Sequence, residues 1–223
     1  MHSNETEFRR QRLPTPENDV MSSDNGLYTM VDASLPNSGH WLWCEVSPEH
    51  NHSSPQTGWV AHISATNRDM QEALAALAIE HKLPTFKFAP PQILEKDQQP
   101  DAGSSRGKTA VFYYTEKGID GETINWDGFI KDASLIVNTL GGAGQSVHGE
   151  RHVPGSHGIY YSAQTKTAGG RYVPSAMRTS YDLGRTDDPF AHIDLRTEKD
   201  RTAPLPKEAE RSASKTASGL PGL

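Results

Sequence analysis

Along HWLWCEV (40–46), Trp41 and Trp43 fall on one side and Leu42, Cys44 and Val46 on the other, which predicts a strand with two different faces. A polar loop, EHNHSSPQT, separates it from a second strand, GWVAHIS (58–64), which is apolar except for His62 and the closing serine. Side chains two apart on a strand share a face, so Val60 and His62 look the same way. Next, Thr66-x-x-Asp69 resembles a capping box for a helix carrying Met70, Ala73, Leu74, Leu77 and Ala78 on one stripe, a helix that ends by Pro84. In TFKFA (85–89), Phe86 and Phe88 share one face and Lys87 takes the other.

Residues 90–107 are rich in Pro, Gln, Asp, Gly and Ser and predict a long loop, followed by a strand at KTAVFYYT (108–115). Phe129, Ala133, Ile136, Val137 and Leu140 form a second helical stripe, closed by Gly141-Gly142. GIYYS (158–162) is the last strand predicted. Two strand-helix-strand units with an extra N-terminal strand give an α+β (or α/β) single domain, a mixed sheet with helices packed on one face. A parallel crossover in the first unit would set His62 and Lys87 side by side. The ends are polar and proline-punctuated, predicting a disordered tail over 1–25, a folded domain over 26–195 and a second disordered tail over 196–223.

Composition narrows the function. With 34% hydrophobic residues and a net charge of −6, the chain is expected to engage neither nucleic acid nor an anionic membrane as its main task. Its single cysteine, Cys44, cannot form an internal disulfide. No apolar run reaches the length of a transmembrane helix and the N-terminus lacks a signal-peptide core, so a cytoplasmic protein is expected.

Three short motifs have plain explanations. Gly103-Ser-Ser-Arg-Gly107 fits G-x-S-x-G, yet a polar loop precedes it and a strand follows, the wrong setting for a nucleophilic serine. His148-Gly-Glu-Arg-His152 places two histidines four apart, but the surrounding glycines and Pro154 disfavour the helix a metal site would need, and no metal is expected. Gly141-Gly-Ala-Gly144 follows a helix instead of opening one and reads as a helix stop. What remains is a set of cations on different elements: His62, Lys87, Arg106, Lys108, Arg151, Arg171 and Arg178, with Tyr160 and Tyr161. Such a set suits a phosphate or carboxylate.

GLYTMVD, GWVAHISAT with its helix, TFKF, GKTAVFYY, IYYS, Gly-Gly-Arg-Tyr-Val-Pro and Asp188-Pro189-Phe190, in that order over about residues 27–190, resemble the N-terminal lyase domain of class III and IV lanthipeptide synthetases. That domain is related to the bacterial effector phosphothreonine lyases. The resemblance implies a free-standing version that eliminates phosphate from phosphoserine or phosphothreonine in a precursor peptide, without a cofactor. His62 then matches the family's acid, Lys87 and Lys108 its phosphate-contacting lysines, and Arg106, Arg171 and Arg178 are further phosphate ligands, with Tyr160 and Tyr161 against the substrate. The family strand reads G-W-K-x-H with the lysine as base; here Val60 stands in that place. Ser162 likewise follows Tyr161 where the family has an arginine.

Lys87 is the one base left to nominate, since neighbouring cations would depress its pKa. A positioned base contributes about 10²- to 10⁴-fold in rate, so the missing lysine sets up two expectations. One is an active phosphoserine/phosphothreonine lyase. The other is a catalytically impaired module that grips the precursor and works with separate kinase, lyase or cyclase proteins. An effector acting on host kinases ranks third.

Overall fold

The computed structural model describes residues 7–14, 20–23, 26–33, 41–46, 52–53, 57–97, 106–142, 144–147, 149–164 and 185–202. Its centre is a sheet of β1 (Val20–Ser22), β2 (Tyr28–Ala33), β3 (Trp41–Val46), β4 (Trp59–Ile63), β5 (Thr85–Phe88), β6 (Ala110–Tyr113), β7 (Arg151–His152) and β8 (Ile159–Ala163). The strands lie in the order β1-β2-β3-β5-β6-β4-β8-β7, and every neighbouring pair is antiparallel. Among the described residues, three helices of seven residues or more accompany it: α1 (Arg68–Glu80), α2 (Pro91–Asp97) and α3 (Trp126–Thr139). The domain is α+β, with its main helices on one face.

Alternation explains that layering. Phe86, Phe88, Phe112, Ala61 and Ile63 all point to one side, where they join Met70, Leu74 and Ala78 of α1 and Phe129, Ala133 and Val137 of α3 in the main core. Phe112 meets Phe129 edge-on at 4.9 Å between ring centres. The opposite side carries a smaller cluster of Val60, Val111 and Tyr113, flanked by Trp41 and Trp43. β4 is therefore buried along its whole length, apolar on both faces except at His62.

The structure revises several expectations. β4 and β5 do run in the same direction, but β6 lies between them, each pairing antiparallel with it. His62 and Lys87 are thus two strand spacings apart, roughly 10 Å between backbones, not side by side. The α1 cap is Asn67, not Thr66: its side-chain carbonyl accepts from the Met70 amide at 2.8 Å. α2 occupies part of the segment read as a loop, opening at a proline, which the first helical turn tolerates because its missing N–H needs no partner there.

Part of the expected N-terminal tail also belongs to the fold. Leu13 is 1% exposed, the Gln11 amide donates to the Glu72 carbonyl at 3.0 Å, and β1 adds to the sheet edge. Two well-spaced apolar side chains, Phe8 and Leu13, suffice to dock a segment whose average composition is polar. Within the C-terminal segment, a short α4 (Glu198–Thr202) forms one exposed turn, and residues 203–223 lie outside the described residues. Among the described residues no helix is long and apolar enough to cross a membrane.

Candidate active site

Registers place one row of side chains across the face away from the helices. Trp43 of β3 is opposite Lys87 of β5, Lys87 opposite Val111 of β6, Val111 opposite His62 of β4, His62 opposite Tyr160 of β8, and Tyr160 opposite His152 of β7. Directly opposed residues share a face. Lys87 and His62 therefore flank Val111 on one surface.

His62 is 3% exposed, and its Nδ1 lies 2.6 Å from Oε2 of Glu150. The other oxygen of that carboxylate, Oε1, is 3.0 Å from Nζ of Lys108. Glu150 has a fully buried side chain. Burial alone would raise its pKa, but the charges and hydrogen bonds of His62 and Lys108 outweigh that and bring it to about 2. The carboxylate is thus ionised, and it fixes Nδ1 as the protonated nitrogen, leaving Nε2 as the nitrogen that can exchange a proton with a ligand.

Two loops built on glycine deliver these partners. Gly141 and Gly142 both have positive φ and end α3, and the Asn67 side-chain amide donates to the Leu140 carbonyl at 2.8 Å. Beyond this turn the chain is tied to the end of β4: the Gly144 amide donates to the Ser64 carbonyl, and the Ser64 hydroxyl donates to the Gln145 carbonyl at 2.8 Å. Glu150 follows from that anchored loop. Gly107, φ +72°, runs so close to it that an added Cβ would stand 2.2 Å from the Gln145 carbonyl oxygen. Lys108 comes next, held in register by the Thr109 hydroxyl, which bonds the Ile63 and Ala65 carbonyls.

Lys87 has a different setting. Its Nζ stands over three rings, 4.3 Å from the centre of Trp41, 4.7 Å from Trp43 and 5.8 Å from Tyr113. Burial first, and the nearby Lys108 charge second, lower its pKa to about 8. At a pKa of about 8, part of the amine is unprotonated near neutral pH.

Of the other expected site residues, Arg106 borders this cluster. Its Nη2 is 3.4 Å from the Ser146 hydroxyl, its charge acts on Tyr160, and its buried Nε finds no acceptor among the described residues. Tyr160 stands beside His62 and, at 5.1 Å between ring centres, beside His152. Tyr161 does not join them. It is opposite Ala61, faces the helices and packs against Trp59 and Phe190, because adjacent strand residues point to opposite faces. Arg151 pairs with Asp188 on that same side, near the Tyr161 ring. Arg171 and Arg178, like Gly103–Ser105 and His148, lie outside the described residues. Among the described residues, no group of three His, Cys, Asp or Glu side chains could hold a metal ion.

Sequence reasoning missed Glu150. It sits in a loop 88 positions from His62, with no periodicity to mark it, and its motif HGERH was weighed only for metal. A lone acid next to a basic run, in a glycine-rich loop, was the available signal.

The eight-stranded antiparallel sheet with its helices behind is similar in fold to solved phosphothreonine lyase effectors. The Chromobacterium violaceum VirA (SpvC) phosphothreonine lyase effector superposes with a TM-score of 0.51 at 12% identity, covering 80% of this chain and 85% of that one. The Salmonella plasmid virulence C protein (SpvC) gives 0.50 at 11% identity over 79% and 85%. A mutant of that Salmonella protein gives 0.50 at 12% over 80% and 86%. No family model matches the chain, and no curated protein does.

Proposed function

We propose that the protein removes phosphate from phosphothreonine or phosphoserine in a peptide by β-elimination. One observation carries this reading: an amine with its pKa lowered to about 8 and an imidazole fixed by a buried carboxylate flank one valine on the face of the sheet away from the helices. The unprotonated Lys87 takes the Cα proton. The electron pair left on Cα forms the Cα=Cβ double bond as the Cβ–Oγ bond breaks, and His62 gives a proton from Nε2 to the departing phosphate. Lys108 and the Arg106 Nε–H supply positive charge and a donor for a group carrying close to two negative charges. The products are a dehydroamino acid in the peptide and inorganic phosphate, and the reaction uses no water and no cofactor. The fold likeness supports the reaction class, and the GWVAHISAT segment favours a lanthipeptide-type precursor as the peptide, with separate kinase and cyclase proteins as partners.

A second reading is the impaired module that binds a phosphorylated precursor without turnover. Val60 favours it, since a fully buried apolar side chain fills the place on the His62 face where the resembled family has a lysine; the buried Ser162 opposite it adds to this. Incubation with phosphothreonine and phosphoserine peptides, read by mass spectrometry for loss of phosphoric acid, separates the two. The expected result is loss by the native protein and at least a 10²-fold slower loss by His62→Asn and by Lys87→Met. Val60→Lys is expected to lower the melting temperature without raising the rate, because it buries an amine in an apolar cluster while Lys87 already serves as base. Binding without loss, together with a rate gained in Val60→Lys, would establish the module instead.

A further inference from the structure

Glu150 reaches His62 from just before β7, a strand of two residues at the end of the sheet order. So short a ladder holds an edge weakly, and the carboxylate needs a second fastening to stay against the imidazole. The next residue provides one. Successive side chains of an extended chain point to opposite faces, so while Glu150 serves the His62 face, Arg151 turns to the helix side, opposite Tyr161. There its guanidinium forms an ion pair with Asp188 and lies over the Tyr161 ring, 5.9 Å from the centre. The Asp188 side chain is 6% exposed, and its other oxygen, Oδ1, accepts from the Phe190 amide at 2.9 Å. Its charge also reaches the Tyr161 phenol, whose pKa is raised first by burial and then by Asp188.

Asp188 belongs to a strap, residues 185–202, that is fastened behind the sheet. Phe190 packs among Tyr114, Trp126 and Tyr161, Ile193 is buried as well, and the Leu195 amide donates to the Pro154 carbonyl at 2.8 Å. The strap runs so close to Gly155 that an added Cβ would stand 2.3 Å from the Arg196 nitrogen. It therefore grips the β7–β8 hairpin twice, at its turn and at Arg151. The second grip falls one residue from Glu150.

We propose that Asp188 is a positioning residue: by pinning Arg151 behind β7, it holds the Glu150 carboxylate against the His62 imidazole on the other face. The kinetic consequence rests on the lyase reading, so the test includes a readout free of turnover. In protein carrying isotope-labelled histidine, the Nδ1 proton of His62, bonded to a buried carboxylate, gives a downfield NMR signal. His62→Asn assigns that signal by its loss, and Glu150→Gln shifts it upfield. Asp188→Asn, with folding checked by its melting curve, is expected to move it in the same direction. Its kcat for elimination is expected to fall about tenfold with KM within about twofold of the native value. In a Glu150→Gln background the same change is expected to slow the reaction less than about twofold, since the carboxylate it positions has already lost its charge. A merely structural loss slows both backgrounds alike. Should Asp188→Asn fail to fold, Arg151→Lys, which keeps the charges paired but gives up the planar fork, takes its place with the same readouts. A signal left in place, or equal slowing in both backgrounds, overturns the inference. If the native protein eliminates no phosphate, the lyase reading falls and the signal alone decides: moved, the inference stands; unmoved, it falls.

Discussion

Glu150 holds two cations with one carboxylate, and its effect on His62 differs from its effect on Lys108. For the lysine it is a counter-charge. For the imidazole it selects the tautomer, with the proton on Nδ1 and Nε2 the nitrogen opposite the carboxylate. Glu150→Gln keeps the shape and an acceptor but removes the charge, so elimination is expected to slow by about 10²-fold while phosphopeptide affinity changes little; an unchanged rate would reduce Glu150 to scaffolding. Lys87 gives a second test. A base must be unprotonated, so the rate should climb with pH and level off near 8, the value to which burial and Lys108 bring the amine. Trp43→Ala admits water to that amine and should move the climbing limb to higher pH, which a pH–rate profile would show.

At the scale of elements, the site depends on how closely two loops pass. Gly107 combines a positive φ with a backbone oxygen 2.2 Å from where a Cβ would stand, whereas Gly142 has a positive φ and open space around it. Gly107→Ala is therefore expected to cost about 3 kcal/mol and to weaken phosphopeptide binding by displacing Lys108, while Gly142→Ala costs about 1 kcal/mol and leaves binding alone. Denaturant melts and anisotropy titrations of the two variants compare them directly. The same contrast marks what the sequence could disclose. β3, β4, β5, β6, β8, α1 and α3 follow from local alternation or a helical stripe, because each buries one face against a common core. β1 and β7, of three and two residues, are too short to carry a period, and α2 is masked by its Pro/Gln-rich composition. Side-chain direction on a strand was legible, so Lys87 could be set apart from Phe86 and Phe88. Strand order was not: nothing within β4 or β5 says that β6 comes between them, and the partner of His62 arrives through a loop after α3 whose path depends on Asn67, Ser64 and Gly107.

For the molecule as a whole, the division of labour between the two faces of one sheet ties stability to pH. The helix-bearing face is apolar, but the other face carries a buried carboxylate that bridges His62 and Lys108. In the folded protein this carboxyl has a pKa of about 2, against an ordinary value of 4.5 when the chain is unfolded. The unfolded chain therefore takes up the proton first as pH falls. The contribution of the pairing is complete above about pH 4.5 and is lost progressively toward pH 2, amounting to roughly 3 kcal/mol over that window. Asp120, Asp187 and Asp194 also have lowered pKa values, but their ion pairs lie at the surface, so the acid response is expected to belong mainly to Glu150. Urea melts of the native protein and of Glu150→Gln at pH 7, 4 and 3 should show a stability gap that is widest at pH 7 and closes in acid as the native carboxyl is protonated. A gap that stays constant across that range would mean that the carboxylate's charge contributes nothing to holding the loop against the sheet, and that its shape alone does.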